Sequence, residues 1–222
     1  MKTIAVVPIK LNNERLPGKN TKLLGGIPLI QHILNTLLQV NYIDDIYVYC
    51  SNPSIKEYLP IGVKYLQRSE ALDLNTAKIN EVLSAFAKET HADIYVLAHA
   101  TAPFVKAESI AKGVLAVKSR VYDSAFAAKK MQTFFWKGGV PLNYQLDNIP
   151  RTQDLEPIFE ETSGFYVYTS EVINDFNRRI GTKPLIVEVS NIEGIDIDNA
   201  EDFSIANAIF SNLLNNKSNG TD

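Results

Sequence analysis

Short β-branched, apolar runs alternate with amphipathic helical stretches along most of this 222-residue chain, and that alternation confines it to an α/β architecture. Residues 3–7 read as a central parallel strand buried on both faces. Residues 46–50, 63–66, 94–98, 124–128, 165–168 and 185–189 predict further strands. Between them, Leu29, Ile30, Ile33 and Leu34 recur at helical spacing after Pro28, and Thr76 is placed to cap a helix carrying Ile79, Val82, Leu83 and Phe86. Further helices are expected over 109–118, after Ser170, and from Asn199 or Ala200 to about residue 215, with a frayed tail beyond. The expectation is a mostly parallel twisted sheet flanked by helices. Ligands of such sheets bind beyond the carboxyl ends of the strands.

The rhythm fails between residues 129 and 162, where aromatics mix with Gly138-Gly139 and three prolines. A hairpin fits the Gly-Gly pair, and the segment is either an arm reaching toward another subunit or a long surface loop. With no internal repeat and no low-complexity linker, residues 1–222 are expected to form one domain with 129–162 as an inserted arm.

Composition narrows the partners. A formal net charge of -3 gives no basic surface for nucleic acid. Cys50 is the only cysteine, so no disulfide within the chain and no cysteine-rich metal site can form. No run reaches the roughly 18 apolar residues of a bilayer span. The apolar start MKTIAVVPIK is too short for a secretory core, so a soluble cytoplasmic protein is expected.

Chemistry is therefore sought just after strands. The first such segment, PIKLNNERLPGKN over residues 8–20, matches neither a dinucleotide-binding GxGxxG nor a GxxxxGK[ST] loop. It carries Lys10, Arg15 and Lys19 among Asn12, Asn13 and Asn20, with a turn at Pro17-Gly18. Transfer at a triphosphate needs positioned cations and amide donors. By spacing alone the loop is equally a solvated basic surface. Asp196 and Asp198, two residues apart on an extended segment, point the same way. They either share a cation such as Mg²⁺ or simply favour the start of the following helix. Arg151 offers a guanidinium suited to a carboxylate or phosphate.

The same segments resemble the sugar-acid cytidylyltransferases of the acylneuraminate type. Pro8, Leu16, Pro17, Lys19 and Asn20 match that family's first signature, with Lys10 at its arginine position, and the R-L-P-G-K run is closer to the 3-deoxy-manno-octulosonate branch. Arg68 to Thr76, the loop HATAPF with Thr101 and Pro103, residues 151–161, and the run Asp196-Ile197-Asp198 followed by Asp202 resemble later family segments in the same order. Departures are Glu14 for a cation, Ser69 for proline, Asn75 for aspartate and His99 for glutamine.

The resemblance implies a Rossmann-like nucleotidyltransferase fold, an arm shared across a homodimer, and Mg²⁺-dependent transfer of CMP from CTP to a small acidic sugar with release of pyrophosphate. It implies that Lys10, Arg15 and Lys19 are catalytic, and that Pro8, Lys10, Asn20, Arg68 and Thr76 bind nucleotide. His99, Thr101, Arg151 and Glu161 would bind the sugar, and Asp196 and Asp198 the metal. The alternatives are the same fold acting on an octulosonate, phosphonate or polyol, or with another base, and a non-catalytic nucleotide-binding protein.

Overall fold

A computed structural model describes residues 1–218, without the side chains of 214–218. The elements are β1 (Thr3–Ile9), β2 (Leu23–Leu24), β3 (Ile27–Pro28), α1 (Leu29–Leu38), β4 (Asp45–Cys50), β5 (Val63–Gln67), α2 (Ile79–Glu89), β6 (Ile94–Ala98) and α3 (Ala107–Lys118). After these come β7 (Ser124–Met131), β8 (Trp136–Lys137), β9 (Val140–Pro141), β10 (Ile158–Thr169), α4 (Ser170–Phe176), β11 (Pro184–Val189) and α5 (Ala200–Ser218).

Seven strands form one sheet in the order β11-β7-β10-β6-β1-β4-β5. All neighbours run parallel except β10, which is antiparallel to both β6 and β7. In β1, Ala5, Val7 and Ile9 enter one buried cluster and Ile4 and Val6 the other, the period-two alternation of a strand covered on both faces. The first cluster is sealed by α1 and α3 through Ile30, Ile33, Ile110 and Val114. The second is sealed by α2 and α4 through Val82, Phe86, Val172 and Ile173. Gly113 lets α3 lie close on the sheet, since a Cβ there would sit 3.2 Å from both Phe165 and Val167.

Because β1, β4, β5 and β6 are parallel, the segments that follow them emerge at one edge of the sheet. That edge carries the residues of interest. No helix among the described residues is long and apolar enough to cross a membrane.

Three local expectations are corrected. Helix α2 starts at Ile79, with Glu81 Oε2 accepting the Lys78 N–H at 2.9 Å, so Thr76 stands upstream of the cap rather than forming it. Strand β10 begins at Ile158, well before residue 165, and β7 continues to Met131. Helix α5 runs on to Ser218; the rest of the expected frayed tail, 219–222, lies outside the described residues. Residues 195–198, expected as an extended segment, lie outside any strand. Ile197 N–H is instead held by the Thr101 carbonyl at 2.8 Å.

The 129–162 segment is therefore partly regular. Its two ends extend β7 and β10 as an antiparallel ribbon, with Ile158 opposite Met131 and Lys129 opposite Glu160. Beyond them β8 and β9 form a hairpin whose turn is Gly138-Gly139. Both glycines have positive φ, 60° and 82°, which this two-residue turn requires.

Candidate functional site

The loop after β1 is shaped by a turn and two anchors. Lys19 N–H bonds the Leu16 carbonyl at 3.1 Å, and Gly18 takes φ 65° to close the turn. Leu16 packs against the cluster of Leu24, Leu29, Ile197 and Phe203. Asn20, buried, donates to the Lys10 carbonyl at 2.9 Å. Its side chain thus braces the loop from within.

These anchors aim the cations. Lys19 is buried, and its Nζ donates to the Ile197 carbonyl at 2.6 Å and lies 3.5 Å from Asp198 Oδ1. A buried ammonium needs such partners, and they fix its position. Arg15 reaches the same carboxylate, with 2.8 Å between Nη1 and Asp198 Oδ2. The first basic loop and the late acidic segment thus meet. With Asp198 they enclose a cavity of about 250 Å³, whose rim adds Lys10, Asn13 and Asn75. A neighbouring opening, lined by Pro8, Lys10, Lys19, His99 and Thr101, continues toward β6.

Helix α5 decides how the acids are used. Asn199 Oδ1 accepts the N–H of Glu201 and of Asp202, and Asp202 Oδ2 accepts the N–H of Asp198 and of Asn199. The helix start is satisfied by these two residues, which leaves the carboxylates of Asp196 and Asp198 outside the cap. Asp196 Oδ1 is buried without a hydrogen-bond partner among the described residues. A cation would satisfy such an oxygen, and Mg²⁺ is commonly bound by one or two carboxylates with substrate phosphates. The donor set fits that ion, although no cluster of three or more His, Cys, Asp or Glu side chains suited to a metal exists among the described residues.

On the β6 side, His99 follows the strand and lies within the electrostatic reach of Arg179, Asp196 and Lys19. Burial first, and then the Arg179 charge, lower its pKa to about 4, so the ring is neutral near pH 7. Tyr166 donates to Glu161 Oε1 at 2.6 Å, and its pKa is raised, first by burial and then by that bond. Arg179 bonds the same oxygen at 3.0 Å and lies over the Tyr166 ring at 3.9 Å.

The sequence-predicted residues thus divide. Lys10, Arg15, Lys19, Pro8, His99, Thr101 and Asp198 line the two openings, and Asn20 supports them. Arg68 is buried and pairs with Asp73. Asp73 in turn lines a third opening, bounded by the segments after β1, β4 and β5. Thr76 is exposed. Glu161 is engaged in holding Arg179. Arg151 is exposed on the arm, clamped by Asp154 through two contacts of 2.7 and 3.0 Å, and lines none of these openings. Arg179 was missed because it follows a helix. Strand β10 runs antiparallel, so the chain leaving α4 returns to the site edge, and only the reversed strand signals that.

Comparison with known proteins follows from this geometry. A cytidylyltransferase family model matches residues 4–188. The CMP-N,N'-diacetyllegionaminic acid synthase of Legionella pneumophila is 31% identical over 92% of this chain and 94% of its own. The N-acylneuraminate cytidylyltransferase A of Danio rerio is 25% identical over 91% of this chain, which spans 49% of that longer protein. Among solved structures, a CMP:2-keto-3-deoxy-manno-octonic acid synthetase complexed with CTP shares the fold, with a TM-score of 0.73 at 14% identity, covering 96% of this chain and 99% of that one.

Proposed function

The chain belongs to the cytidylyltransferase family, and we propose that it transfers CMP from CTP to an acidic sugar of the nonulosonate kind, releasing pyrophosphate. The observation that carries this reading is the meeting of Lys19 and Arg15 with Asp198 around one cavity. Relatives named for legionaminic and neuraminic acids support the acceptor class.

In this reading the triphosphate lies against the loop after β1. Lys19, held rigid by the Ile197 carbonyl, is a preorganised charge for the leaving pyrophosphate and needs no rearrangement as that charge develops. Arg15 exchanges its contact with Asp198 for the phosphates. Asp196 and Asp198 would hold Mg²⁺, which would supply charge neutralisation at the phosphates when bound. The acceptor enters from the β6 side. There neutral His99 offers a hydrogen bond to a sugar hydroxyl, and Arg179 supplies positive charge toward the sugar acid. Orientation of the hydroxyl for in-line attack is the remaining contribution of the protein.

The arm suits a homodimer. Trp136, Val140, Leu142, Leu146 and Ile149 are each more than half exposed, and this gathering of apolar side chains on one segment supports reading it as a docking surface. A second copy is the occupant proposed here. A cytoplasmic place of action is part of the same proposal.

The test is incubation with CTP, Mg²⁺ and a panel of nonulosonates and 3-deoxy-octulosonate, read by the mass of the CMP adduct. A nonulosonate adduct formed from CTP and not from UTP, GTP or ATP is expected. An adduct with the octulosonate alone would move the acceptor to the branch that the R-L-P-G-K run resembles. No adduct across the panel refutes the reading.

A further inference from the structure

The loop after β1 contains one acid among its cations, and an amide from another loop bonds that acid. Glu14 lines the same cavity as Lys10, Arg15 and Lys19. Its partner among the described residues is Asn75, whose Nδ2 donates to Glu14 Oε1 at 2.6 Å. The other end of that amide accepts from Lys10 Nζ at 2.5 Å. Asn75 follows β5 and stands 65 residues from Lys10 in sequence, so the contact joins two separate loops across the cavity rim.

A carboxylate and an ammonium four residues apart on one exposed loop are close enough in sequence to meet directly, an attraction of up to about 1 kcal/mol. Direct contact would cancel the Lys10 charge and turn a negative group toward the space that a triphosphate must enter. An amide is the neutral side chain that accepts from the ammonium and donates to the carboxylate at once. Aspartate at this position could satisfy Lys10 and would repel Glu14; an aliphatic side chain would satisfy neither.

We propose that Asn75 is a positioning residue that holds Glu14 off Lys10 and so keeps the Lys10 charge available to the triphosphate. The proposal rests on the nucleotide reading above for its ligand, and on the two hydrogen bonds for its mechanism. It also gives the two departures at Glu14 and Asn75 one joint explanation: an acid inside a phosphate-binding loop is tolerable when a fixed amide stands between it and its cation.

The test uses calorimetric binding of CTP and, in parallel, of inorganic tripolyphosphate, which keeps the phosphate contacts and lacks the base. Asn75→Leu is expected to weaken both by on the order of tenfold. In the double variant Asn75→Leu/Glu14→Gln, which removes the acid as well, binding should return to within about threefold of wild type. Two results overturn the proposal: Asn75→Leu binding as tightly as wild type, or a loss that persists in the double variant, which means that Asn75 only shapes the loop. If wild type binds tripolyphosphate and not CTP, the cytidylyl reading falls, and the ranking of the variants on tripolyphosphate still decides the role of Asn75.

Discussion

At the residue scale, the Ile197 carbonyl fixes the Lys19 ammonium, and Arg15 and Lys19 both reach the Asp198 carboxylate. Asp198→Asn is expected to lower kcat by on the order of 100-fold or more and to weaken the dependence on divalent metal, checked by titrating Mg²⁺ against turnover. Lys19→Ala should impair CTP use, with kcat lowered as well as KM for CTP raised, because the charge that Lys19 meets grows as pyrophosphate leaves. His99 gives a pH prediction. Its folded pKa, about 4, lies below the ordinary value of 6.5, so between those pH values the unfolded chain binds a proton that the folded chain refuses. Stability therefore falls as pH drops from 6.5 toward 4. His99→Gln should flatten that part of the profile by up to about 3 kcal/mol, measured by urea unfolding across the range. These residues were legible in the sequence because they sit in runs following strands. Arg179 carries no such mark, since its place depends on the antiparallel course of β10.

At the element scale, α5 sets the acidic segment. Its cap is built from Asn199 and Asp202, which frees the two preceding aspartates and ties their backbone to the helix start. Asn199→Ala should cost about 1 kcal/mol in thermal or chemical unfolding, with a smaller loss of turnover than Asp198→Asn. The strands buried on both faces were readable because their apolar runs are continuous, as in 3–7 and 94–98. The first half of β10 was not. There the strand pairs with β7 beyond the covered part of the sheet, so Glu160 and Glu161 are exposed, and Glu160 lies 3.1 Å from Lys129 across the ribbon. A strand with little to bury loses the apolar pattern by which sequence reveals it. Helix α2 was misplaced at its start for a related reason: the capping side chain is Glu81, inside the first turn, and the upstream threonine only looks the part.

At the scale of the whole molecule, the sheet brings residues far apart in sequence to one edge, and the segment around β8 and β9 leaves Trp136, Val140 and Leu142 exposed. Under the proposed homodimer, wild type should sediment as a dimer and Val140→Asp with Leu146→Asp as a monomer, with thermal stability little changed because both side chains are exposed within one chain. The central claim is that the loop after β1 and the segment carrying Asp196 and Asp198 close around one metal-bound triphosphate. A crystal structure of the protein with CTP and Mg²⁺ tests it most directly. The triphosphate should lie against Lys19 and Arg15, with the ion touching Asp196 or Asp198. A triphosphate bound elsewhere, or an ion with neither carboxylate in its coordination shell, would contradict it.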